Sequence, residues 1–215
     1  MGPIPSSMHV IPISSSLARE IAEQHHYMHR KPPVRHSYGL WTDGGDLAGI
    51  CVFGCPASHE LRKGACPAHP EWVVEFNRLW VDDACPRNTE SWFVSRCLAD
   101  LPPYIVVSYA DTRQGHMGYV YRALNFRYAG WTDMERKTPR YDYMPAREGI
   151  HTRDAYRNGY THRVQRRPKI KYWTVTGTRP DKRRLIAACA WPSLDWHTLP
   201  PPVEHRQLRL TPAVR

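Results

Sequence analysis

No stretch of this 215-residue sequence is apolar over the length needed to cross a bilayer as a helix, which excludes an integral helical membrane protein. No pair of the six cysteines has CxxC spacing, and no segment repeats. The opening Met1–Ser6 lacks a basic flank and an apolar run, so it is not expected to act as a secretory signal. Gly2 fits a loose myristoylation pattern, but Pro3 breaks it. Lysine is scarce: 24 of the 30 basic residues are Arg. Wholesale disorder is also excluded, because 41% apolar residues can build a core.

The charge is one-sided. Residues 1–110 carry 9 basic and 11 acidic side chains; residues 111–215 carry 21 basic and 9 acidic. An Arg-rich excess confined to one half suits a polyanion such as nucleic acid. Within it, Arg136, Lys137, Arg140, Arg153, Arg157, Arg163, Arg166 and Arg167 alternate with Tyr141, Tyr143, Tyr156, Tyr160, Tyr172 and Trp173. Cations for phosphates among flat rings for bases favour nucleic-acid contact; a solvated basic face with inward-turned rings is the plainer alternative. Cys51 and Cys97 sit in apolar runs and read as small buried hydrophobes. Cys55, Cys66 and Cys85 lie by proline-rich loops near His59 and His69, in a spacing that fits no standard zinc finger. Reduced cysteines in a cytoplasmic setting are the simplest account. No motif specifies a metal or an oligomeric state.

The element pattern is strand 9–14, helix 17–24 capped by the Ser14–Ser16 run, and a hairpin of 37–42 and 47–53 about Asp43-Gly-Gly-Asp46. A loop over 54–70 follows, then strand 71–81, loop 82–88, helix 89–101 and strand 104–109. Beyond the turn at 111–115 come helix 118–125 and strand 126–131. Residues 133–168 show little periodicity. An edge strand at 169–176 and a helix at 181–190 complete the chain. The fold class is α/β (α+β), with a mixed, mainly antiparallel sheet flanked by helices. Residues 1–196 are expected to form one catalytic domain, with 197–215 a Pro-rich surface tail. Strands 71–81 and 104–109 are expected to be splayed neighbours with a cleft at their C-terminal ends.

Arg78, inside an apolar strand, needs an anionic or carbonyl partner: either an internal salt bridge with Glu75 or Asp111, or a substrate. Ser108-Tyr109-Ala110-Asp111 closes a buried strand, where Asp111 can serve as acid, base or orienting group, or simply open a turn. His25, His26, Tyr27 and His29 crowd one helix end and offer groups that exchange protons. Asn88, Thr89 and Ser91 begin a helix, an ordinary cap or a generic anion site.

Four ordered motifs then carry a resemblance: Glu75-Phe-Asn-Arg-Leu-Trp-Val81, Pro86-Arg-Asn-Thr-Glu-Ser91, Ser108-Tyr-Ala-Asp111 and Gly115-His-Met-Gly-Tyr-Val-Tyr-Arg-Ala-Leu-Asn-Phe126. Together they resemble the Mom family of bacteriophage DNA-modification proteins, known from phage Mu. The resemblance covers most of 15–131 and, more weakly, 165–196. It implies a GNAT-type N-acetyltransferase-like fold and conversion of adenine to N6-carbamoylmethyladenine as a defence against restriction, in the host bacterial cytoplasm. It implies His26, Tyr27, Arg78, Ser108, Asp111 and Tyr121 as catalytic residues, and Asn88, Ser91, Tyr109, His116 and Asn125 as substrate-binding. Arg136, Lys137, Arg140, Arg163, Arg166 and Arg167 are expected to bind nucleic acid. The sequence departs from the acetyltransferase pattern at 82–88, where a Gly-rich loop would hold the coenzyme pyrophosphate: it has no glycine and two aspartates. That disfavours an acyl-CoA donor, and because a glycyl group and the implied carbamoylmethyl group have the same atoms, glycyl-tRNA is the expected donor, with acetyl-CoA the alternative. A non-catalytic DNA-binding protein is the other competing class.

Overall fold

A computed structural model describes residues 8–133, 137–138, 140–143 and 152–198. A seven-stranded sheet runs in the order β1-β2-β3-β4-β5-β9-β6. Its strands are β1 (Met8–Pro12), β2 (His36–Thr42), β3 (Leu47–Gly54), β4 (Val73–Val81), β5 (Ile105–Ala110), β6 (Arg127–Trp131) and β9 (Ile170–Val175). Every pairing is antiparallel except β4 with β5. The α/β, mainly antiparallel class expected from the sequence is the one observed. No helix among the described residues is long and apolar enough to cross a membrane.

Helices cover both faces. One face, with Tyr38, Cys51, Phe53, Val74, Phe76 and Val106, packs on α3 (Thr89–Asp100) and α4 (Tyr119–Ala123). Phe93 and Val94, with Cys97 one helical turn on, are its buried stripe on α3. The other face packs α1 (Ser15–His25) through Ala18 and Ala22 onto Ile50 and Val52, and α6 (Arg179–Ala188) through Leu185. Ser14 caps α1, its Oγ accepting the Leu17 N–H at 3.2 Å. Cys51 and Cys97 are fully buried in the core, as expected.

Three expectations are corrected. The 54–70 loop holds a helix, α2 (His59–Ala65), because Ser58 caps its first turn through the Leu61 N–H. The strand at 169–176 is not an edge: β9 lies between β5 and β6, and its alternation reads as half-buried only because Lys171 and Thr174 are less enclosed than their neighbours. Residues 133–168, weakly periodic in sequence, carry a two-stranded ribbon of β7 (Tyr141–Tyr143) and β8 (Arg163–Gln165) with a short helix, α5 (Thr152–Arg157), against β7. Most of the tail (199–215), Gly2 and Arg136 lie outside the described residues; Trp196–Thr198 forms a 3-10 turn.

Two features of β4 shape the centre of the molecule. It pairs with β5 only through Val73–Glu75 against Ile105–Val107; beyond, β4 follows β3 and β5 follows β9, so the two splay apart. The ladder with β3 also slips by one residue: Phe53 opposes Phe76, but Val52 opposes Arg78. Asn77 is the extra residue of a β-bulge, and a one-residue slip sends each later side chain to the opposite face. Strict alternation would put Arg78 on the α3 face with Val74 and Phe76. The bulge puts it on the α1 face with Val52.

Candidate active site

The splayed gap gathers six groups expected from the sequence, together with Glu75 and Lys169. Arg78 reaches it from β4. Its Nη1 donates to the Asn77 carbonyl at 2.6 Å, while its Nε is buried without a partner. Neither expected salt bridge forms. Asp111 pairs instead with Lys169, Oδ2 to Nζ 3.1 Å, and no carboxylate among the described residues lies within ion-pair distance of Arg78. Burial lowers the Arg78 pKa, opposed by the acidic groups of Tyr27 and Glu75. A desolvated guanidinium holding only one carbonyl is a receptor for an oxyanion or polarised carbonyl.

His26 and Tyr27 follow the end of α1 within electrostatic reach of Arg78, their rings 4.2 Å apart. The preceding His25 stacks on Trp80, two residues after Arg78, at 4.2 Å, which fixes the helix end against β4. The strap that follows crosses β3 so closely that a Cβ on Gly54 would lie 2.0 Å from the Pro33 carbonyl; Asn77 Nδ2 donates to the same carbonyl at 3.0 Å. His26 is 7% exposed. Burial first, then the charges of Arg78, His116, His29 and Lys169, lower its pKa to about 3. His26 is therefore neutral at physiological pH. Its Nδ1 accepts the Met28 N–H at 3.2 Å, which leaves the proton on Nε2. His26 is thus a hydrogen-bond donor there. Tyr27 meets His116 edge-on at 5.4 Å. Tyr27 is 39% exposed, but the protein packed around it and the negative charge of Asp111 push its hydroxyl up to about 12, so it too is a donor.

On the α3 face, Ser108 Oγ lies 2.7 Å from the Phe76 carbonyl and 2.8 Å from the Tyr121 hydroxyl. The carbonyl can only accept, so Ser108 donates to it and Tyr121 donates to Ser108. Tyr121 is held by Phe76, Phe126 and a stack on Tyr172 at 4.7 Å, and burial raises its pKa. Gly118, at φ +87°, starts α4; a Cβ there would lie 2.3 Å from the Tyr172 hydroxyl, which donates to the Met117 carbonyl. Only glycine combines that backbone with that approach.

Two members were missed as site residues. Glu75, read from the sequence only as a partner for Arg78, is a carboxyl whose pKa burial raises, against the pull of Lys169, Arg78 and the Ala57 N–H. Lys169 was read only as a strand start. The pairing of Ala110 with Ile170 sets it beside Asp111, a neighbourhood that no local motif encodes. Tyr109 shares the Glu75 side of the sheet, and burial, then Glu75, raises its pKa.

The remaining expected residues do not join by hydrogen bonds. Asn88, at φ 72°, caps α3 without a side-chain bond, Ser91 donates to its carbonyl at 3.0 Å, and Asn125, at φ 56°, turns α4 into β6. Lys137, Arg140, Arg163, Arg166 and Arg167 belong to the ribbon and its approaches; Arg140 pairs with Asp133 at 3.5 Å. Tyr172 and Trp173, grouped with these in the sequence, are instead core residues of β9. A groove of about 520 Å³ between β1 and α3, lined by Val10, Trp92, Arg96 and Asp100, has no comparable convergence.

No group of three or more His, Cys, Asp or Glu among the described residues is arranged to hold a metal. The 82–88 loop suits a coenzyme pyrophosphate poorly. Asp82 takes the Ala84 N–H on its own carboxylate at 2.8 Å, and the N–H groups of Cys85 and Thr89 bond within the loop. Those donors are spent, and Asp82 and Asp83 add repulsion.

The chain is 36% identical over 127 residues to the methylcarbamoylase Mom of Escherichia phage Mu, across 55% of this chain and 52% of that protein. It thus spans about half the length of that relative. Among solved structures it is similar to a GNAT superfamily phosphinothricin acetyltransferase from Sinorhizobium meliloti in complex with acetyl-CoA (10% identity, TM-score 0.46, 80% of this chain and 89% of that one). It is similar also to an N-acetyltransferase from Staphylococcus aureus Mu50 (12% identity, TM-score 0.46, 79% and 99%). Likeness this loose assigns no donor. The Mom protein family model matches residues 7–185, the span from β1 to Leu185 of α6 that holds every residue of the splayed site, and the chain belongs to that family.

Proposed function

We propose that residues 1–196 act as one catalytic domain that converts adenine in phage DNA to N6-carbamoylmethyladenine, within the bacterial host. The observation that carries this reading is Arg78, a desolvated guanidinium with an unpartnered Nε, set beside two further donors, His26 and Tyr27, in the gap between β4 and β5. Such donors stabilise the oxyanion of an acyl transfer, and they do so best where water is excluded. Asp111 and Glu75 offer carboxylates for the proton that the attacking amine must lose. Ser108 and Tyr121 form a relay against the Phe76 carbonyl that holds the opposite wall.

In this reading the donor is glycyl-tRNA. Adenine N6 attacks the ester carbonyl, the terminal ribose hydroxyl leaves with a proton, and N6 carries –CO–CH2–NH2. The new amine then attacks C6, the bond from C6 to the original N6 breaks, and that nitrogen leaves as the carboxamide. The product group, –CH2–CO–NH2, has the same atoms, so no further reactant is consumed. N6 is paired in a duplex, so the base must be extruded or presented single-stranded.

The test is mass spectrometry of nucleosides after incubating the purified chain with DNA and glycyl-tRNA labelled with 13C and 15N. Modified adenosine should carry every heavy glycine atom, and adenine labelled at N6 should deliver that nitrogen to the carboxamide. Unmodified adenosine alone sinks the adenine reading. Label arriving from acetyl-CoA with tRNA inert replaces the donor.

A further inference from the structure

The ribbon beside the cleft holds a second site of different character. Tyr143 lies directly opposite Arg163 in the β7–β8 ladder, so both project from one face. The Arg163 guanidinium covers the Tyr141 ring at 4.6 Å and has no ion-pair partner among the described residues. On the same side, α5 brings Tyr156 to Tyr143, ring centroids 4.9 Å apart at 49°. The helix ends in a Schellman motif: Tyr160 N–H bonds the Ala155 carbonyl and Gly159 N–H that of Tyr156, with Gly159 at φ +79°. That reversal returns the chain so that Tyr160 lines the same cavity as Tyr156. The result is a pocket of about 290 Å³ lined by Tyr143, Tyr156, Gly159, Tyr160, Thr161 and Arg163.

A core would hide these rings, yet Tyr156 is 62% exposed. Flat rings about a cavity with a solvent-exposed cation at its rim match a planar heteroaromatic group that carries a phosphate. The pocket is also close to the cleft along the chain. Arg163 lies six residues before Lys169, at most about 20 Å along the chain. The intervening segment is pinned by the Pro168 carbonyl, which accepts the Thr112 hydroxyl at 3.0 Å, and by Lys169 N–H on Thr132 Oγ1 at 2.8 Å. We infer that this pocket binds an unpaired nucleobase of the DNA strand that carries the target adenine, holding that strand open beside the cleft. The inference rests on the adenine-modification reading for its choice of DNA, though binding itself is measured without catalysis.

The experiment is a fluorescence-anisotropy titration of the full chain at fixed salt with three labelled single strands of about 12 nucleotides. One is DNA, one is abasic with the same phosphates, and one is RNA of the same sequence. Tyr156→Ala should weaken DNA binding about 5- to 150-fold, the cost of one lost base stack. Tyr156→Phe keeps the ring and should bind as the wild type does. The abasic strand should bind more weakly and be indifferent to Tyr156→Ala. The inference is overturned if Tyr156→Ala leaves DNA affinity unchanged or weakens the abasic strand equally. A Tyr156 dependence confined to RNA overturns the assignment to DNA. Nucleoside analysis run in parallel separates the two readings. Intact modification with no Tyr156 effect on binding removes the pocket alone; Tyr156-dependent binding with unmodified adenine removes the reaction alone.

Discussion

The cleft and the ribbon are both polar and aromatic, and they are built in opposite ways. The cleft draws Tyr27, Glu75, Arg78, Asp111 and Lys169 from four separate segments, and burial displaces the pKa values of His26, Glu75 and Arg78. The ribbon draws its residues from one short stretch and leaves Arg163, Arg167 and Tyr156 exposed. Desolvation strengthens each interaction in the first and commits its groups to set protonation states; solvation leaves the second adaptable and sensitive to salt. One arrangement suits making and breaking bonds at a point, the other gripping a long polyanion.

The comparison is broken most sharply at Arg78. Arg78→Met should lower adenine modification by roughly 10²- to 10³-fold, as loss of an oxyanion donor does. Its melting temperature should hold or rise, because the variant removes a desolvated cation without an ion-pair partner among the described residues. Modified nucleoside and thermal unfolding measured on one preparation check this; a large fall in melting temperature would make Arg78 a structural residue.

Gly118→Ala tests how the cleft is scaffolded. A Cβ 2.3 Å from the Tyr172 hydroxyl, on a backbone at φ +87°, should cost roughly 2–4 kcal/mol in urea unfolding. Modification should fall with it, since Tyr172 supports Tyr121.

The buried histidine should show as acid sensitivity. The folded pKa of His26 lies at about 3 against 6.5 unfolded, so below pH 6.5 the unfolded chain takes a proton that the native state refuses. Its stabilisation is whole above pH 6.5 and drains as pH falls toward 3, with about 2 kcal/mol gone by pH 5. The difference in unfolding free energy between wild type and His26→Phe, measured at pH 7 and pH 5, should shrink by that amount. A difference that stays constant would place a solvated, ordinary imidazole there.

The smallest effects belong to the ribbon. Arg163→Ala and Arg167→Ala should each flatten the dependence of log affinity on log salt by about 0.7–0.9. The same titration on Arg78→Met should leave the slope as it is. Equal slopes throughout would remove phosphate contact from the ribbon.

Much of this was legible locally. Ser14 before an apolar period predicts α1, Asp43-Gly44-Gly45-Asp46 predicts the β2–β3 turn, and the apolar run at 105–107 predicts a buried strand. The ordered motifs carry Arg78, Ser108, Asp111 and Tyr121, and the helix-end pair His26-Tyr27 was legible beside them; in space these residues lie around the gap between β4 and β5. Alternation is a short-range signal, however, and it fails wherever the chain breaks step. At Asn77 one inserted residue reverses the face of Arg78, and nothing in Glu75-Phe-Asn-Arg-Leu announces the insertion. The ribbon escaped for a related reason: strands of three residues are too short to show a period.

By itself, then, the sequence determined the long strands and helices of the main sheet, where the positive charge lies and which residue types are available for chemistry, since propensity, capping and net charge are properties of neighbours along the chain. Only the tertiary structure decided that Asp111 would pair with Lys169 rather than Arg78, that His26 would be neutral and that Arg78 would face α1 with its Nε open. Each of these depends on which distant strand lies alongside and how much water is left between, and Coulomb and desolvation energies are functions of distance in space.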